Sequence, residues 1–384
     1  MEIPEGVDPK SHDPNDVCEI LQSLYGLRQS AYLWNQKVKK FVTSIGFRQS
    51  TADPGVFIND RGVIIALYVD DILIFGKDNK DIGSTKDQLK SFHPMKDLGL
   101  AQKVLGIRIT QTKNSIRLDQ ELYARSILEE FGMAESASKN TPLNPSTDLD
   151  DKSSRKLPRD LHDKFRKIIG RLTYLAGGTR PDIQFSVNRL SQHLADPREV
   201  HLRASRHLLR CIKGTITYGI TYSAKGSANT GTLIGYSDSS YGNATKQRSA
   251  SAYVFMLANG PVSWCSRKQP ITAMSTTEAE YIAAAEAAKQ AIWIRHFLAA
   301  IRKHPKQPTQ LGIDNQGTLS LASNPVNHLR SKHIRIRYHA CHRLWPGFWV
   351  VGHALNPVLN KVFATSVYGL GIAASKLRKG DPSS

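Results

Sequence analysis

The sequence predicts an α/β fold built from more than one part, and three observations carry that prediction. Apolar residues recur at helical spacing in some segments and as short strand-like runs in others. Two stretches interrupt the pattern: residues 141–158, dominated by Pro, Ser, Asp and Lys, and residues 223–231, rich in Gly, Ser and Ala. In the final third, strands come first and helices follow in mixed order, the arrangement of an α/β layer domain. The chain's 384 residues exceed one ordinary domain. Its 40% hydrophobic and 22% charged residues suffice for packed cores.

The elements follow in order. Residues 30–45 set Tyr32, Trp34, Val38, Phe41 and Ile45 at helical spacing, and Gly46 ends that helix. Residues 63–76 form an apolar run broken only by Asp70 and Asp71, which predicts a hairpin. A polar stretch with helical character reaches Phe92. Two short strands, 104–109 and 115–118, flank a Thr112-Lys113-Asn114 turn, and a helix over 120–131 stops at Gly132. Residues 161–215 are basic and mostly helical, divided by Pro181 and Pro197 and closed by Gly214. After the second linker the expectation is a strand at 233–237, a turn at 239–248, strands at 252–257 and 262–264, an Ala-rich helix at 277–301 and a strand at 310–313. Beyond Arg343 the tail has Trp, Pro and Gly, little periodicity, and no acidic residue before Asp381. The domain boundaries expected are 1–132, 133–225, 226–340 and a tail over 341–384.

The formal net charge of +19 argues for a polyanionic partner, with a merely solvated basic surface as the plain alternative. The same pair of readings applies locally to His201, Arg203, Arg206, His207 and Arg210. Cys18, Cys211, Cys265 and Cys341 are scattered without a Cys-x-x-Cys pair, which suits free thiols in a reducing compartment. No apolar run approaches the roughly 18 residues of a membrane span, and the polar, acidic start is unlike a signal peptide. A soluble, intracellular chain without membrane contact is expected.

Two sets of carboxylates carry possible chemistry. Tyr68-Val69-Asp70-Asp71 places two neighbouring acids in an apolar hairpin, where unpaired charge is costly unless a cation compensates it. Successive strand residues face opposite sides, so both serve one site only if the chain turns there. A tip so built offers oxygen ligands to Mg²⁺, although Asp is also a common turn residue. The second set is dispersed: Asp238 after an apolar strand, Glu280 in the first turn of the Ala-rich helix, and Asp314 at the end of a strand. Three such positions can converge on a metal pair that activates water and holds a phosphodiester. Alternatively, Glu280 is a helix-end acid, and Asp238 and Asp314 are loop residues. Ser275-Thr276-Thr277-Glu278 has capping-box spacing, so Glu278 can cap while Glu280 faces elsewhere.

Ser23-Leu24-Tyr25-Gly26-Leu27-Arg28-Gln29-Ser30-Ala31, Trp34, Gly46-Phe47, Asp53-Pro54-Gly55-Val56-Phe57, the Tyr-Val-Asp-Asp hairpin, Met95-Lys96-Asp97-Leu98-Gly99 and Leu105-Gly106-Ile107 follow one another in an order and spacing that resembles the copia-type retrotransposon reverse transcriptases. Gly235-Tyr236-Ser237-Asp238, Arg248-Ser249-Ala250-Ser251, Val262-Ser263-Trp264, Ser275 to Tyr281, Asp314-Asn315 and His328-x-Arg330-x-Lys332-His333-Ile334 resemble the ribonuclease H domain of the same polyproteins. The resemblance covers most of residues 1–340.

It implies a partial reverse transcriptase palm, a basic helical connection and a ribonuclease H-like α/β domain, with RNA-directed DNA synthesis and hydrolysis of RNA in RNA·DNA hybrids as the activities. It implies that Asp70 and Asp71 bind polymerase metal and that Asp238, Glu280 and Asp314 bind Mg²⁺ or Mn²⁺ for the nuclease. Arg28 and Gln29 would lie near template and nucleotide, and His328, Arg330, Lys332 and His333 would touch phosphate. Template-primer and RNA·DNA hybrid are the implied partners, with other proteins of such an element beside them, in a cytoplasmic particle or the nucleus. Two departures qualify this. The family's first palm aspartate precedes the quoted motifs, so a truncated, polymerase-defective fragment is expected. Arg335 stands where the family has an acid, and nothing from Ile336 to Gly380 can supply its fourth nuclease carboxylate. A catalytically inactive relic that only binds nucleic acid is the competing expectation.

Overall fold

Residues Ile64–Tyr68 alternate half-buried and buried positions, and that alternation decides which face of the strand packs. In the computed structural model the described residues are 29–223, 231–244, 248–305, 307–323 and 348–352, with Val17, Glu19 and Leu27; most of the expected second linker lies outside them. They divide into two compact units, Met1–Leu100 with His296–Lys303 and Ala101–Arg295 with His304–Ser384. No helix among the described residues is long and apolar enough to cross a membrane.

In the first unit, α1 (Ser30–Ser44) ends as expected ahead of Gly46, whose φ of 91° suits glycine. Strands β1 (Arg48–Gln49), β2 (Val56–Ile58), β3 (Ile64–Tyr68) and β4 (Asp71–Phe75) form an antiparallel sheet in that order. Helix α2 (Asn79–Phe92) follows, its N-terminus capped by the Asp78 carboxylate, which accepts the Lys80 N–H at 2.8 Å. Val38, Val42, Phe47, Phe57, Ile65 and Leu89 make the core, and the Phe41 and Phe92 rings stack at 4.2 Å beside it.

The second unit begins with β5 (Lys103–Val104), β6 (Ile107–Gln111) and β7 (Ser115–Asp119). The single strand expected at 104–109 is broken because Leu105 and Gly106 both take positive φ, 47° and 73°. The Tyr174 hydroxyl donates to the Leu105 carbonyl, and a Cβ on Gly106 would meet that hydroxyl at 2.8 Å. Four helices come next: α3 (Glu121–Glu130), α4 (Arg159–Gly178), α5 (Gln184–Ser191) and α6 (Glu199–Gly214), with a 3-10 turn at Pro181–Ile183. Ile127, Phe165, Ile168, Leu172, Leu190, Leu208 and Ile212 are central to their shared core. Strand β8 (Gly219–Ser223) then returns to pair with β7.

Residues 141–158 are irregular, as their composition predicts, yet they do not hang free. Leu143 and Leu149 are buried in the helical core, each burial contributing roughly 1.5–3 kcal/mol. Three members of the basic strip hold neighbouring backbone: His201 Nε2 lies 2.7 Å from the Leu149 carbonyl, His207 Nε2 lies 2.9 Å from that of Thr141, and Arg210 Nε donates to that of Ala137 at 2.6 Å. Burial holds both imidazoles below the ordinary histidine range, so they serve as neutral hydrogen-bonding groups. Only Arg203 and Arg206 of the strip remain exposed.

The remaining elements are β9 (Ile234–Ala244), β10 (Arg248–Leu257), β11 (Gly260–Lys268), α7 (Thr276–Ala300), β12 (Thr309–Ile313), α8 (Gln316–Ser323) and β13 (Phe348–Gly352). Their sheet runs β11-β10-β9-β12-β13; the first three strands are antiparallel, and β12 pairs in parallel with both β9 and β13. Three features differ from the sequence expectation, the first being helix α8, for which no element was expected. The strand runs past Asp238 into the expected 239–248 turn, because Ser239 and Ser240 pair with Ser251 and Ala250 of β10. A strand also forms at Phe348–Gly352, in a tail whose short apolar run shows no lasting alternation. Glycine permits two close approaches: a Cβ on Gly235 would meet the buried Phe255 ring at 2.3 Å, and one on Gly312 would meet Tyr236 at 2.9 Å. Trp264 Nε1 donates to the Ala176 carbonyl of α4 at 3.0 Å, tying this sheet to the helical core, and the Tyr222 hydroxyl of β8 donates to the Pro261 carbonyl at 2.7 Å, tying it to the β5–β8 sheet.

Arg180 is the largest wholly buried side chain among the described residues. It pairs with Asp182 at 2.7 Å, donates to the Thr215 carbonyl and hydroxyl, and lies over the Tyr218 ring at 5.3 Å. It thereby joins the start of α5 to the end of α6. Removing one partner of such a pair leaves an uncompensated charge, so Arg180→Ala is expected to lower unfolding free energy by about 3–5 kcal/mol in a urea melt. A loss below about 1 kcal/mol would contradict this role.

Candidate metal centre

The sheet brings together three of the carboxylates singled out by sequence. Asp238 lies within β9, Glu280 in the second turn of α7, and Asp314 directly after β12. One carboxylate oxygen from each lies within 4.8 Å of the others. Asp238 and Glu280 are buried, at 4% and 7% exposure, whereas Asp314 is exposed and opens the cluster to solvent.

Local structure explains the convergence. Ser275 and Glu278 cap α7: the Glu278 N–H donates to Ser275 Oγ at 3.1 Å, and Glu278 Oε2 accepts the Met274 N–H at 2.6 Å. Glu278 is thus the cap that the spacing predicted, with its return bond one residue earlier than in a standard capping box, while Glu280 faces the sheet. Across the site, Asn315 Oδ1 accepts the Thr318 N–H at 2.8 Å and starts α8, while the Thr318 hydroxyl donates to the Thr277 carbonyl at 3.2 Å. These bonds set Asp314 against the beginning of α7.

Ser239 completes the arrangement, and sequence reasoning missed it by assigning that residue to a turn. Its N–H donates to Asp238 Oδ1 at 2.7 Å and to Glu280 Oε1 at 3.0 Å, and its hydroxyl donates to Glu280 Oε1 at 2.9 Å. Glu280 Oε2 is buried with no hydrogen-bond partner among the described residues. Both buried carboxyls are shifted upward. Burial is the main cause for each, followed by the Asp314 charge for Asp238 and the Asp238 charge for Glu280. The metal-free cluster therefore retains a proton well above the usual carboxylate range.

An oxygen-only set with an orphaned buried acceptor fits a hard divalent cation, which would be held by Asp238, Glu280 and Asp314.

The first-unit acids sit differently. Tyr68 pairs with Asp71, leaving Val69 and Asp70 as a two-residue turn with both acids exposed. Val69 has φ 52°, where a β-branched residue is strained. Trp34 Nε1 donates to its carbonyl at 2.9 Å and fixes the tip to α1. Among the described residues, no third ligand-type side chain completes a metal-holding group with this pair. Gln29 occupies the residue before α1, and its carbonyl accepts the Leu33 N–H at 2.9 Å. Arg28, His328, Arg330, Lys332 and His333 lie outside the described residues.

Comparison with known proteins bears on both units. The family described as reverse transcriptase (RNA-dependent DNA polymerase) matches residues 1–145. The retrovirus-related Pol polyprotein from transposon TNT 1-94 of Nicotiana tabacum is 36% identical over 355 residues, 88% of this chain and 26% of that protein. The corresponding polyprotein from transposon RE1 of Arabidopsis thaliana is 37% identical over 343 residues, again 88% of this chain but 23% of that one. The chain thus spans about a quarter of the length of these relatives. A transposon Ty5-1 protein of Saccharomyces cerevisiae is 33% identical over 280 residues, 71% of this chain and 89% of that protein. Among solved structures, a foamy viral protease-reverse transcriptase in complex with RNA/DNA hybrid matches with a TM-score of 0.51 at 14% identity, covering 94% of this chain and 42% of that one; this likeness concerns the fold. By its sequence relatives, the chain belongs to the copia-type retrotransposon Pol family and carries part of its reverse transcriptase.

Proposed function

We propose that the second unit hydrolyses the RNA strand of RNA·DNA hybrids at Asp238, Glu280 and Asp314, with Mg²⁺ or Mn²⁺ bound there. One observation carries this reading: carboxylates from β9, α7 and the end of β12 gather at one point, two of them buried, with one buried oxygen unpartnered. Such a cluster is costly without a cation. When bound, the cation would lower the pKa of a water and draw charge from the scissile phosphate. The chain's own residues prepare the place. Ser239 orients Asp238 and Glu280 through its N–H and hydroxyl. Burial and mutual repulsion push both acids upward, so cation binding is linked to their deprotonation. Asp314, being exposed, is the face through which substrate phosphate would approach.

The net charge of +19 supports nucleic acid as partner, through contacts that should weaken steeply with salt. Within this proposal residues 1–132 are a partial palm in which Asp70 and Asp71 represent the polymerase metal site, 133–225 a connection, 226–340 the ribonuclease H-like domain and 341–384 an atypical tail. The setting proposed is intracellular, a cytoplasmic particle or the nucleus. A second reading is favoured by the lack of any acid from Ile336 to Gly380, where the family's fourth carboxylate is expected: an inactive chain that binds nucleic acid by charge.

Cleavage of a labelled RNA·DNA hybrid by purified chain, with Mg²⁺ and then Mn²⁺, tests the proposal. Cleavage is expected, falling to background in Asp238→Asn. Intact hybrid binding without cleavage would favour the inactive reading.

The raised carboxyl values give a further expectation. A folded state that keeps a proton the unfolded chain releases loses stability as pH rises from roughly 4, the ordinary carboxylate value. Glu280→Gln preserves the acceptor for Ser239 and turns the orphaned oxygen into a donor facing Asp238. In metal-free protein it should flatten that loss and raise the melting temperature near neutral pH, by roughly 2–4 °C for each kcal/mol of repulsion relieved. Parallel melting-temperature curves from pH 5 to 9 would contradict the shared proton. Metal affinity should also rise with pH, since binding displaces that proton; calorimetry in buffers of different ionisation enthalpy reads the release, and none would count against it.

A further inference from the structure

We infer that Gln269 is a positioning residue for the acidic trio, an inference that rests on the metal site proposed above. Gln269 immediately follows β11 and is 1% exposed. Its backbone N–H donates to the Ser249 carbonyl at 2.8 Å, which carries the pairing of β10 and β11 one step further. Its side-chain Nε2 lies 2.8 Å from Ser251 Oγ and 2.8 Å from the Ala279 carbonyl. Both acceptors belong to the site's framework. Ser251 is the register partner of Ser239, the residue that donates to both buried carboxylates. Ala279 precedes Glu280 in α7. One amide therefore ties the strand backing Ser239 to the helix residue beside Glu280, at the place where helix and sheet meet.

The orientation of the amide follows from chemistry. A carbonyl only accepts, so the group facing Ala279 must be the NH₂, and its two protons match the two acceptors. Gln269 Oε1 is buried without a partner among the described residues, so donation is the whole hydrogen-bonding contribution of the side chain. Leaving that oxygen unsatisfied costs free energy. A tie between the helix that carries Glu280 and the strand that pairs with the one carrying Asp238 is a physical reason for keeping it there.

Mn²⁺ binding to the full-length chain, followed by electron paramagnetic resonance, tests the inference without requiring activity. Gln269→Met keeps the volume and removes both donors. It should weaken Mn²⁺ binding by about 10- to 100-fold, the usual effect of losing a group that orients metal ligands, and should broaden the bound-ion spectrum. Ser251→Ala, which leaves the Ala279 bond intact, should weaken binding less. Urea melts of the metal-free variants give the folded fraction, so that affinity is expressed per folded molecule. Unchanged affinity per folded Gln269→Met molecule would overturn the assignment and leave Gln269 a core-filling residue. Should Gln269→Met fail to fold, Gln269→Asn, whose amide falls one methylene short, must show the weakened binding; wild-type affinity there would overturn the assignment equally. Absence of Mn²⁺ binding by the wild type, or equal binding by Asp238→Asn, would instead defeat the metal site itself and this inference with it.

Discussion

Asp238 and Glu280 are buried against each other, and much of the second unit can be understood as the framework that keeps them there. Two carboxylates removed from water repel one another, and the penalty grows as the local dielectric falls. Here one serine offsets part of it with three donated bonds, and the upward shift of both carboxyls reflects the rest. The uncommitted oxygen of Glu280 is what remains. A fold that tolerates such a cluster carries local strain of the kind found at functional sites.

The architecture around the cluster is correspondingly tight. Gly235 lets the Phe255 ring lie across β9, and Gly312 lets Tyr236 approach β12. The second contact lies between the strands carrying Asp238 and Asp314, which pair in parallel register. The capped start of α7 and the short helix α8 close the other side through Thr318 and Thr277. Trp264 then anchors the sheet to the helical core, where buried Arg180 locks α5 to α6, and Tyr222 joins it to the β5–β8 sheet.

Much of this was legible in the sequence. Helices such as 30–45 and 277–301 were readable because apolar spacing, glycine stops and a capping box agree with one another. The acidic trio was legible through the residues around each carboxylate more than through the carboxylates themselves, each of which could equally have been a loop or cap residue. What the sequence hid has physical causes. Ser239 looked like a turn residue because a run of small polar residues carries no strand signal, and only pairing with β10 keeps it extended. Residues 141–158 looked like a free linker because two leucines among prolines and aspartates make no period, although they find a core. The basic strip on α6 looked uniform, yet His201, His207 and Arg210 turn to backbone carbonyls that only the tertiary fold supplies. Strand β13 needed β12 beside it, which no local pattern announces.

The central claim is that Asp238, Glu280 and Asp314 together bind a divalent cation. Anomalous diffraction from crystals of the chain soaked in Mn²⁺ tests it most directly. The account predicts an anomalous peak within about 2.0–2.6 Å of an oxygen from each of the three carboxylates, the range of hard-cation ligation, absent in Asp238→Asn crystals. A well-ordered cluster with no peak at Mn²⁺ concentrations that load other sites, or with Mn²⁺ bound elsewhere, would contradict it.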